Sequence, residues 1–294
     1  MKMYQVRTDL ALETKEKFEE DNVELKGVRV KEEERGENIK ITEVVIETEN
    51  GAKAMGKPKG IYTTIEAPEM ADGEDGYHRE ISKVLAEVLK TMMPQGEKEE
   101  LSILVVGLGN REVTPDALGP KVVDNMLITR HVIQEFGKYA LGEEHSNLIS
   151  SIVPGVMAQT GMESVEIVRG VMKEAQPDYI VAVDALAARS VKRLNRTIQI
   201  TNTGINPGSG VGNHRHALNQ ESLGVPVIAI GIPTVVDAAT IVNDAISGFY
   251  EEADCTLNSF FVTPKDIDES IKRLSFTVSE GLNLAFEKEV CPND

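Results

Sequence analysis

Two aspartates of this sequence stand in the same short context, Asp-Ala-Leu, at residues 116–118 and 184–186. Each copy lies at or just beyond the carboxyl end of an apolar run, L-S-I-L-V-V (101–106) or D-Y-I-V-A-V-D (178–184). In open α/β sheets, ligands bind at the carboxyl ends of the strands. Two carboxylates brought together there share a proton, because both cannot ionise cheaply. Such a pair can take a proton from water and polarise a carbonyl, which is the chemistry of amide hydrolysis by an acid dyad.

Each aspartate also has a purely structural interpretation. Asp116 follows Thr-Pro and precedes a predicted helix, so it could be an ordinary helix N-cap. Asp184 ends a predicted strand of apolar residues. A buried carboxylate is unfavourable there unless it has a specific role, and this favours a functional role. The Asp-[Thr/Ser]-Gly triplet familiar from aspartic proteases does not occur in the sequence.

The glycine pair before Asp116, in V-V-G-L-G-N-R-E (105–112), raises the alternative of a nucleotide site. A dinucleotide fingerprint needs G-x-G-x-x-G at the start of a helix. Here Glu112 takes the place of the third glycine, and Pro115 separates the turn from the helix. The Walker pattern G-x-x-x-x-G-K-[S/T] is also missing. The nucleotide interpretation is therefore weak, although a non-catalytic scaffold for a peptide or nucleotide stays open.

A second glycine-rich stretch, G-I-N-P-G-S-G-V-G-N, covers residues 204–213. It could hold a substrate backbone near the aspartates, since glycine permits close approach and positive φ. A tight loop with no ligand is an equally good interpretation. The residues nominated as substrate contacts are Gly208, Gly210, Gly212 and Asn213.

Two histidines, His214 and His216, follow this stretch. With the two aspartates they could complete a metal site, but the sequence has no H-x-x-x-H spacing and an exposed pair is favoured. We therefore predict no metal and no cofactor. Asp237, early in a helix predicted over 235–246, could cap that helix or help the dyad, and a capping or packing role is favoured.

Composition limits the classes of function. The chain has 294 residues, 41% of them hydrophobic, with 48 Asp and Glu against 31 Lys and Arg and a formal charge of −17. Binding to a phosphate backbone needs clustered cations instead. There is no apolar run of ~18 residues, and the N-terminus lacks the apolar segment of a signal peptide. We expect a cytoplasmic protein that binds neither nucleic acid nor membrane, with Cys255 and Cys291 as free thiols.

Two regions must position these residues. Short alternating strands over 27–66 predict an antiparallel β extension, and residues 1–26 are expected to be loosely held. From 101 to 250, apolar strands alternate with amphipathic helices, which predicts an α/β fold: a mostly parallel sheet with helices on both faces. The predicted elements are a helix over 79–93, strands over 101–106, 150–153, 178–184, 197–201 and 225–231, helices over 117–134, 163–175 and 235–246, and a last helix with Thr263 as N-cap and Pro264 at N1 that ends near 286.

Five blocks of the sequence resemble one known family. They are G-L-G-N-x-x-V-T-P-D-A-L-G-P, I-V-P-G-V-M-A-Q-T-G-M-E, V-D-A-L-A-A-R-S, G-I-N-P-G-S-G-V-G-N and V-I-A-I-G-I-P-T-V-V-D-A. Together they look like the germination protease, or spore endopeptidase, of spore-forming bacteria. Five long blocks in the same order make a chance match very improbable.

The resemblance implies a specific function. The family starts the degradation of small acid-soluble spore proteins at germination, in the spore core, and its fold is similar to the hydrogenase-maturation peptidases. It is regarded as an atypical acid-dyad protease, and the dyad carries over to Asp116 and Asp184. The family is made as an inactive tetrameric zymogen that trims its own N-terminus. The alternative is a metal-dependent maturation peptidase of the same architecture.

The hexamer T-D-L-A-L-E (8–13) gains an interpretation from this resemblance. The family cuts after an acidic residue that precedes a bulky apolar one, so self-processing is expected between Asp9 and Leu10. Residues 1–9 would then be a leader and 10–294 a single peptidase domain. Within that domain lie the β extension (27–66), the catalytic core (101–250) and the C-terminal helix (263–287). The leader before T-D-L-A and the segment before residue 263 are short for the family.

Overall fold

A computed structural model of the chain shows an α/β protein built on one mixed sheet. It describes residues 8–20, 26–36, 38–71, 73, 75–94, 98, 100–142, 147–207, 216–246 and 260–287. No helix among these residues is both long enough and apolar enough to cross a membrane.

The sheet has nine strands within the described residues. They are β1 (Val28–Arg35), β2 (Ile39–Ile46), β3 (Gly60–Glu66), β4 (Ser102–Gly107), β5 (Leu148–Ile152), β6 (Tyr179–Ala188), β7 (Thr197–Thr201), β8 (Val227–Asp237) and β9 (Phe261–Val262). Their order is β1-β2-β3-β7-β8-β6-β4-β5, with β9 paired to β8. The predicted α/β class is therefore confirmed.

The parallel part of the sheet is the half that carries the two aspartates. β4 pairs in parallel with β5 and β6, and β6 pairs in parallel with β8. β7 runs antiparallel to both of its neighbours, β3 and β8. The parallel arrangement expected for the whole core is thus limited to four strands, and the antiparallel extension β1-β2-β3 joins the same sheet through β7.

Helices cover both faces of the sheet, as predicted. They are α1 (Ala11–Glu20), α2 (Glu49–Met55), α3 (Asp75–Met92), α4 (Leu118–Asp124), α5 (Arg130–Phe136), α6 (Met157–Thr160), α7 (Ser164–Ala175), α8 (Gln220–Leu223), α9 (Ala238–Ile246) and α10 (Ile267–Phe286). Successive residues of β4 point to opposite faces: Ile103 and Val105 join the cluster under α3, α4 and α10, and Leu104 and Val106 join the cluster under α7. Burial on both faces explains the continuous apolar runs of these strands.

The helix predicted over 117–134 is wrong as one element, because it divides into α4 and α5. Between them the backbone amide of Leu127 donates to the Asn283 side chain at 3.0 Å, and that of Thr129 donates to the Ile149 carbonyl at 3.3 Å. Amides that bond to a neighbouring helix and strand are not available for i to i−4 bonds, so the helix ends.

Three predicted boundaries move because β6 and β8 are longer than their apolar cores suggest. Their pairing continues to Ala188 and Val236. Asp184 therefore lies inside β6 rather than at its end. Asp237 is the last residue of β8 rather than a helical residue, and its carboxylate accepts from the Ala239 amide at 2.8 Å. The capping role expected for Asp237 is confirmed at a shifted boundary.

Two further predictions, the looseness of the described part of residues 1–26 and the N-cap of the last helix, are wrong. α1 is docked, with Leu10 and Ala11 fully buried, so the described part of residues 1–26 is not loosely held. α10 begins at Ile267 with Asp266 at the N-cap, whereas the Thr263 hydroxyl donates to the Thr234 carbonyl at 2.8 Å. The end of α10 near residue 286 is confirmed.

Candidate active site

The loop after β4 closes around the carboxylate of Asp116. Gly109 has φ +112°, and a Cβ at this position would lie 1.9 Å from the Asp116 carbonyl oxygen, so only glycine allows the return of the chain. The amide of Asn110 donates to Asp116 Oδ2 at 2.7 Å. The N-cap of α4 is Ala117, so the N-cap interpretation of Asp116 is wrong. The glycine turn instead directs a backbone N–H at a carboxylate.

A short 3-10 turn holds Asp116 from its other side. It covers Thr114–Asp116, and the Thr234 hydroxyl of β8 donates to the Pro115 carbonyl at 2.7 Å. Asp116 is half-buried in this position. The loop after β4 therefore holds the carboxylate, β8 holds the turn that carries it, and the side chain keeps part of its surface accessible.

Asp184 is a buried acid within a parallel strand. It is 5% exposed and lies opposite Gly231 of β8. Its Oδ1 accepts from the Ala185 amide at 2.9 Å. Ala182 and Leu186, two residues to either side, belong to clusters on one face of the sheet, so the side chain of Asp184 points to that face.

The segments that carry the two aspartates touch. The Leu108 amide donates to the Val183 carbonyl at 2.8 Å. A Cβ on Gly119, near the start of α4, would lie 2.4 Å from the carbonyl oxygens of both residues. The loop of Asp116 and the strand of Asp184 are therefore in direct contact at the carboxyl edge of the parallel strands, the edge where open α/β sheets bind ligands.

The nominated substrate contacts Gly208, Gly210, Gly212 and Asn213 lie outside the described residues. The next described residue is His216, whose amide and ring nitrogen contact the Glu163 carboxylate at 3.1 Å and 2.6 Å. Glu163 is the N-cap of α7. Four residues earlier, Gln159 donates to the Asn110 side chain at 3.4 Å. His216, the first described residue after the glycine-rich segment, thus lies close to residues that contact the loop of Asp116.

The histidines do not assemble a metal site in the part of the chain that is described. His214, like Cys255 and Cys291, lies outside that part, and the His216 side chain is 78% exposed, as expected for a surface residue. Over the described ranges, no group of three or more His, Cys, Asp and Glu side chains could hold a metal ion.

The expected self-processing bond is held firmly against the end of β6. The Asp9 amide donates to the Ala187 carbonyl at 3.0 Å, and the Ala187 amide donates to the Asp9 carboxylate at 2.9 Å. The Asp9 carbonyl, which belongs to the Asp9–Leu10 bond, accepts from Lys57 Nζ at 2.9 Å and Gln199 Nε2 at 3.0 Å. This bond therefore lies three residues along the strand from Asp184.

A charged cluster next to Asp9 was missed by sequence reasoning. Arg193 contacts three carboxylates, Glu13 at 3.6 Å, Glu16 at 2.6 Å and Glu66 at 2.7 Å. Burial raises the pKa of Glu16 although Arg193 opposes it. Burial lowers the pKa of Lys57, although the negative charges of Asp9 and Glu13 act to raise it. The sequence holds one feature that could have pointed to this region: Gln199, a single polar residue flanked by isoleucines in the strand T-I-Q-I-T.

Comparison with known proteins identifies the family. The family model described as germination protease matches residues 6–253. A germination protease of Caldanaerobacter subterraneus subsp. tengcongensis is 45% identical over 96% of this chain and 94% of its own length. One of Clostridium perfringens is 42% identical over 99% and 98% of the two chains, and one of Priestia megaterium is 48% identical over 84% and 67%.

An α/β protein in which two acid-bearing segments meet beside the carboxyl end of β4 fits a hydrolase. The chain belongs to the germination protease family. It is therefore a protease that acts in spore germination, and the resemblance noted in the sequence is confirmed.

Proposed function

We propose that Asp116 and Asp184 are the catalytic dyad of this protease. One carboxylate is ionised and takes a proton from the attacking water, while the protonated partner donates its proton to the scissile carbonyl oxygen. The water oxygen bonds to the carbonyl carbon, the C–N bond breaks, and the leaving nitrogen takes a proton from the dyad. The observation that carries this proposal is the Leu108–Val183 hydrogen bond, which joins the two aspartate-bearing segments.

The substrates we propose are small acid-soluble spore proteins, whose degradation this endopeptidase would initiate in the spore core. Family membership supports the reaction, and the described flank at His216 supports a substrate role for Gly208, Gly210, Gly212 and Asn213. Glycines there would let an extended substrate backbone approach the edge of the sheet. We further propose a homotetramer and a fold similar to the hydrogenase-maturation peptidases.

We also propose that the chain is a zymogen that cuts itself between Asp9 and Leu10. The hexamer Thr8–Glu13 supports this, because it places an acid before a bulky apolar residue. In the docked form the bond is partly buried, and its carbonyl accepts from the side chains of Lys57 and Gln199. A protease needs an accessible, extended backbone, so the segment must detach before it is cut.

The test is to incubate the purified full-length chain with a small acid-soluble spore protein and to map the products by mass spectrometry. The expected products arise from internal cuts after an acidic residue that precedes a bulky apolar one, with the same rate in the presence of a chelator. Loss of cleavage on chelation, restored by a divalent metal, would favour the maturation-peptidase mechanism instead. An absence of cleavage by the processed form would contradict the substrate assignment.

A further inference from the structure

The hydroxyl of Thr8 stands between the nitrogen of the expected cleavage bond and a buried carboxylate. The Leu10 amide donates to Thr8 Oγ1 at 3.0 Å, and Thr8 Oγ1 donates in a short contact to the carboxylate of Glu13. Glu13 is only 4% exposed. The Leu10 nitrogen is therefore one hydroxyl group away from a carboxylate that water hardly reaches.

The position of these residues on α1 permits a direct contact. Leu10 immediately precedes the helix, and the Thr14 amide donates to its carbonyl at 3.3 Å, so Leu10 is the N-cap and Glu13 the third helical residue. In a capping box, the carboxylate at this third position bonds directly to the N-cap nitrogen. In the intact chain, the Thr8 hydroxyl lies between the Leu10 nitrogen and the Glu13 carboxylate and bonds to both.

We propose that removal of residues 1–9 lets the new α-ammonium of Leu10 replace the Thr8 hydroxyl on Glu13, in a buried ion pair that anchors the processed N-terminus. This inference rests on the proposed self-processing. Hydrolysis consumes one water: the Asp9 carbonyl carbon gains its oxygen and becomes a carboxylate, the C–N bond breaks, and the Leu10 nitrogen becomes an ammonium.

The surrounding charges favour this exchange. The carboxylates of Asp9, Glu13, Glu16 and Glu66 lie around Lys57 and Arg193, and Lys40 also interacts with Glu16 and Glu66. Hydrolysis alone adds one charge of each sign. Departure of the leader then removes both carboxylates of Asp9, so two acidic groups that compete with Glu13 for the new ammonium leave the cluster.

The helix stays in place after the leader leaves, because its own contacts are separate. Leu10 is fully buried in the cluster that includes Leu186 and Leu194. The Ala11 amide donates to Gln199 Oε1 at 2.6 Å. Glu13 also accepts from the amides of Arg189 and Ser190, which follow the strand of Asp184. The ion pair would therefore tie the new terminus to the end of that strand.

The experiment measures the α-amino pKa of Leu10 in the self-processed chain by NMR after reductive ¹³C-methylation. An ordinary α-amino group titrates at about 7.7–8.0. We expect a clearly raised value in the processed wild type and a return towards the ordinary value in Glu13→Gln. The matched control is Glu47→Gln, which removes an exposed carboxylate that contacts Arg29 and should leave the titration unchanged. An ordinary pKa in the processed wild type overturns the proposal even if Glu13→Gln does not fold.

Stability gives a second readout. An amino group whose pKa is raised by folding stabilises the protein fully below its unfolded pKa, and this contribution is lost as the pH rises through the folded pKa. The melting-temperature difference between processed wild type and processed Glu13→Gln should therefore be present at neutral pH and shrink in mildly alkaline buffer. A difference that does not change with pH contradicts the ion pair.

The leader and the ion pair can be tested separately. If the full-length chain does not cut itself, which intact mass shows directly, a chain released from a cleavable fusion so that it begins at Leu10 supplies the same terminus. Failure of self-processing then contradicts the proposed zymogen, whereas an ordinary Leu10 pKa in this chain contradicts the ion pair alone.

Discussion

The backbone amide of Leu108 donates to the carbonyl oxygen of Val183 at 2.8 Å. Leu108 precedes the glycine that lets the loop return to Asp116, and Val183 precedes Asp184. The segments that carry two acids 68 positions apart in the chain, Asp116 and Asp184, are thereby joined. The Leu108–Val183 bond is the structural basis for treating them as a pair.

Removal of either acid should abolish proteolysis without unfolding the protein. Asp116→Asn and Asp184→Asn keep the shape of the side chain but can neither take nor supply the proton as a carboxyl group does. We expect each to lower kcat/KM by ~100-fold or more, measured as the rate of spore-protein cleavage. Circular dichroism should show an unchanged fold.

The matched control is Asp178→Asn. Asp178 lies just before the amino end of β6, where it accepts from the Ser102 amide at 2.8 Å. It should retain near-normal kcat/KM. If Asp116→Asn or Asp184→Asn behaves like this control, that residue has no part in the chemistry.

Alanine should be tolerated at one helical glycine and not at another. A Cβ on Gly119 would lie 2.4 Å from the carbonyl oxygens of Leu108 and Val183, whereas a Cβ on Gly170 of α7 meets nothing within 4 Å. Gly119→Ala should lower the free energy of unfolding by about 3 kcal/mol and reduce activity. Gly170→Ala should raise it by about 0.5–1 kcal/mol, because alanine is the better helix former. Urea denaturation measures both, and equal effects would contradict the close approach of α4 to β6.

Loss of the lysine that binds the Asp9 carbonyl should speed self-processing. Lys57→Met removes one of the two side-chain donors to that oxygen, so the segment around Asp9 should detach more often and residues 1–9 should be lost faster. Intact mass over time measures the rate. Lys53→Met, at an exposed position on α2, the helix that Lys57 follows, is the control. Slower processing of Lys57→Met would mean that Lys57 assists the cut rather than restrains it.

The arginine at the centre of the charged cluster should matter more than an exposed one. The Arg193 side chain is 11% exposed and contacts three carboxylates, so Arg193→Met leaves uncompensated negative charge and should cost about 3 kcal/mol of unfolding free energy. Arg111→Met removes an exposed pair with Asp124 and should cost less than about 1 kcal/mol. A comparable loss from both variants in denaturant titrations would contradict the structural weight given to the cluster.

Asp178 predicts an acid-sensitive contribution to stability. Burial acts to raise the pKa of this carboxyl. Hydrogen bonds from Lys98 and the Ser102 amide lower the pKa by more than burial raises it, so the pKa lies below its usual 3.8. A lowered folded pKa stabilises the protein above the unfolded pKa, and this stability is lost as the pH falls through the folded pKa. The melting-temperature gap between wild type and Asp178→Asn should therefore be constant near neutral pH and close below pH 3.8. A gap that persists in strong acid would contradict this assignment.

Much of the fold could be predicted because buried strands and helices have characteristic local patterns of apolar residues. The apolar runs of β4 and β6 and the periodic stripe of α3 show which side chains face the core. The turn glycines and the motif blocks of the family are likewise visible in the sequence, which was enough to nominate Asp116 and Asp184 as a pair.

The remaining features depend on contacts between distant segments. The extension of β6 beyond Asp184 follows from its pairing with β8, and the break between α4 and α5 follows from bonds to β5 and α10. Asp9 docks on Ala187, 178 positions away.

The sequence by itself therefore determined the α/β class, the family and the candidate acids, since each of these is recorded in local patterns of residues. Only the tertiary structure decided where strands end, which helix breaks, and that the first described residues, Thr8–Glu13, lie against the strand of Asp184. A hydrogen bond between residues that are distant in the chain depends on how the whole chain folds, so it cannot be predicted from the local periodicity of apolar residues.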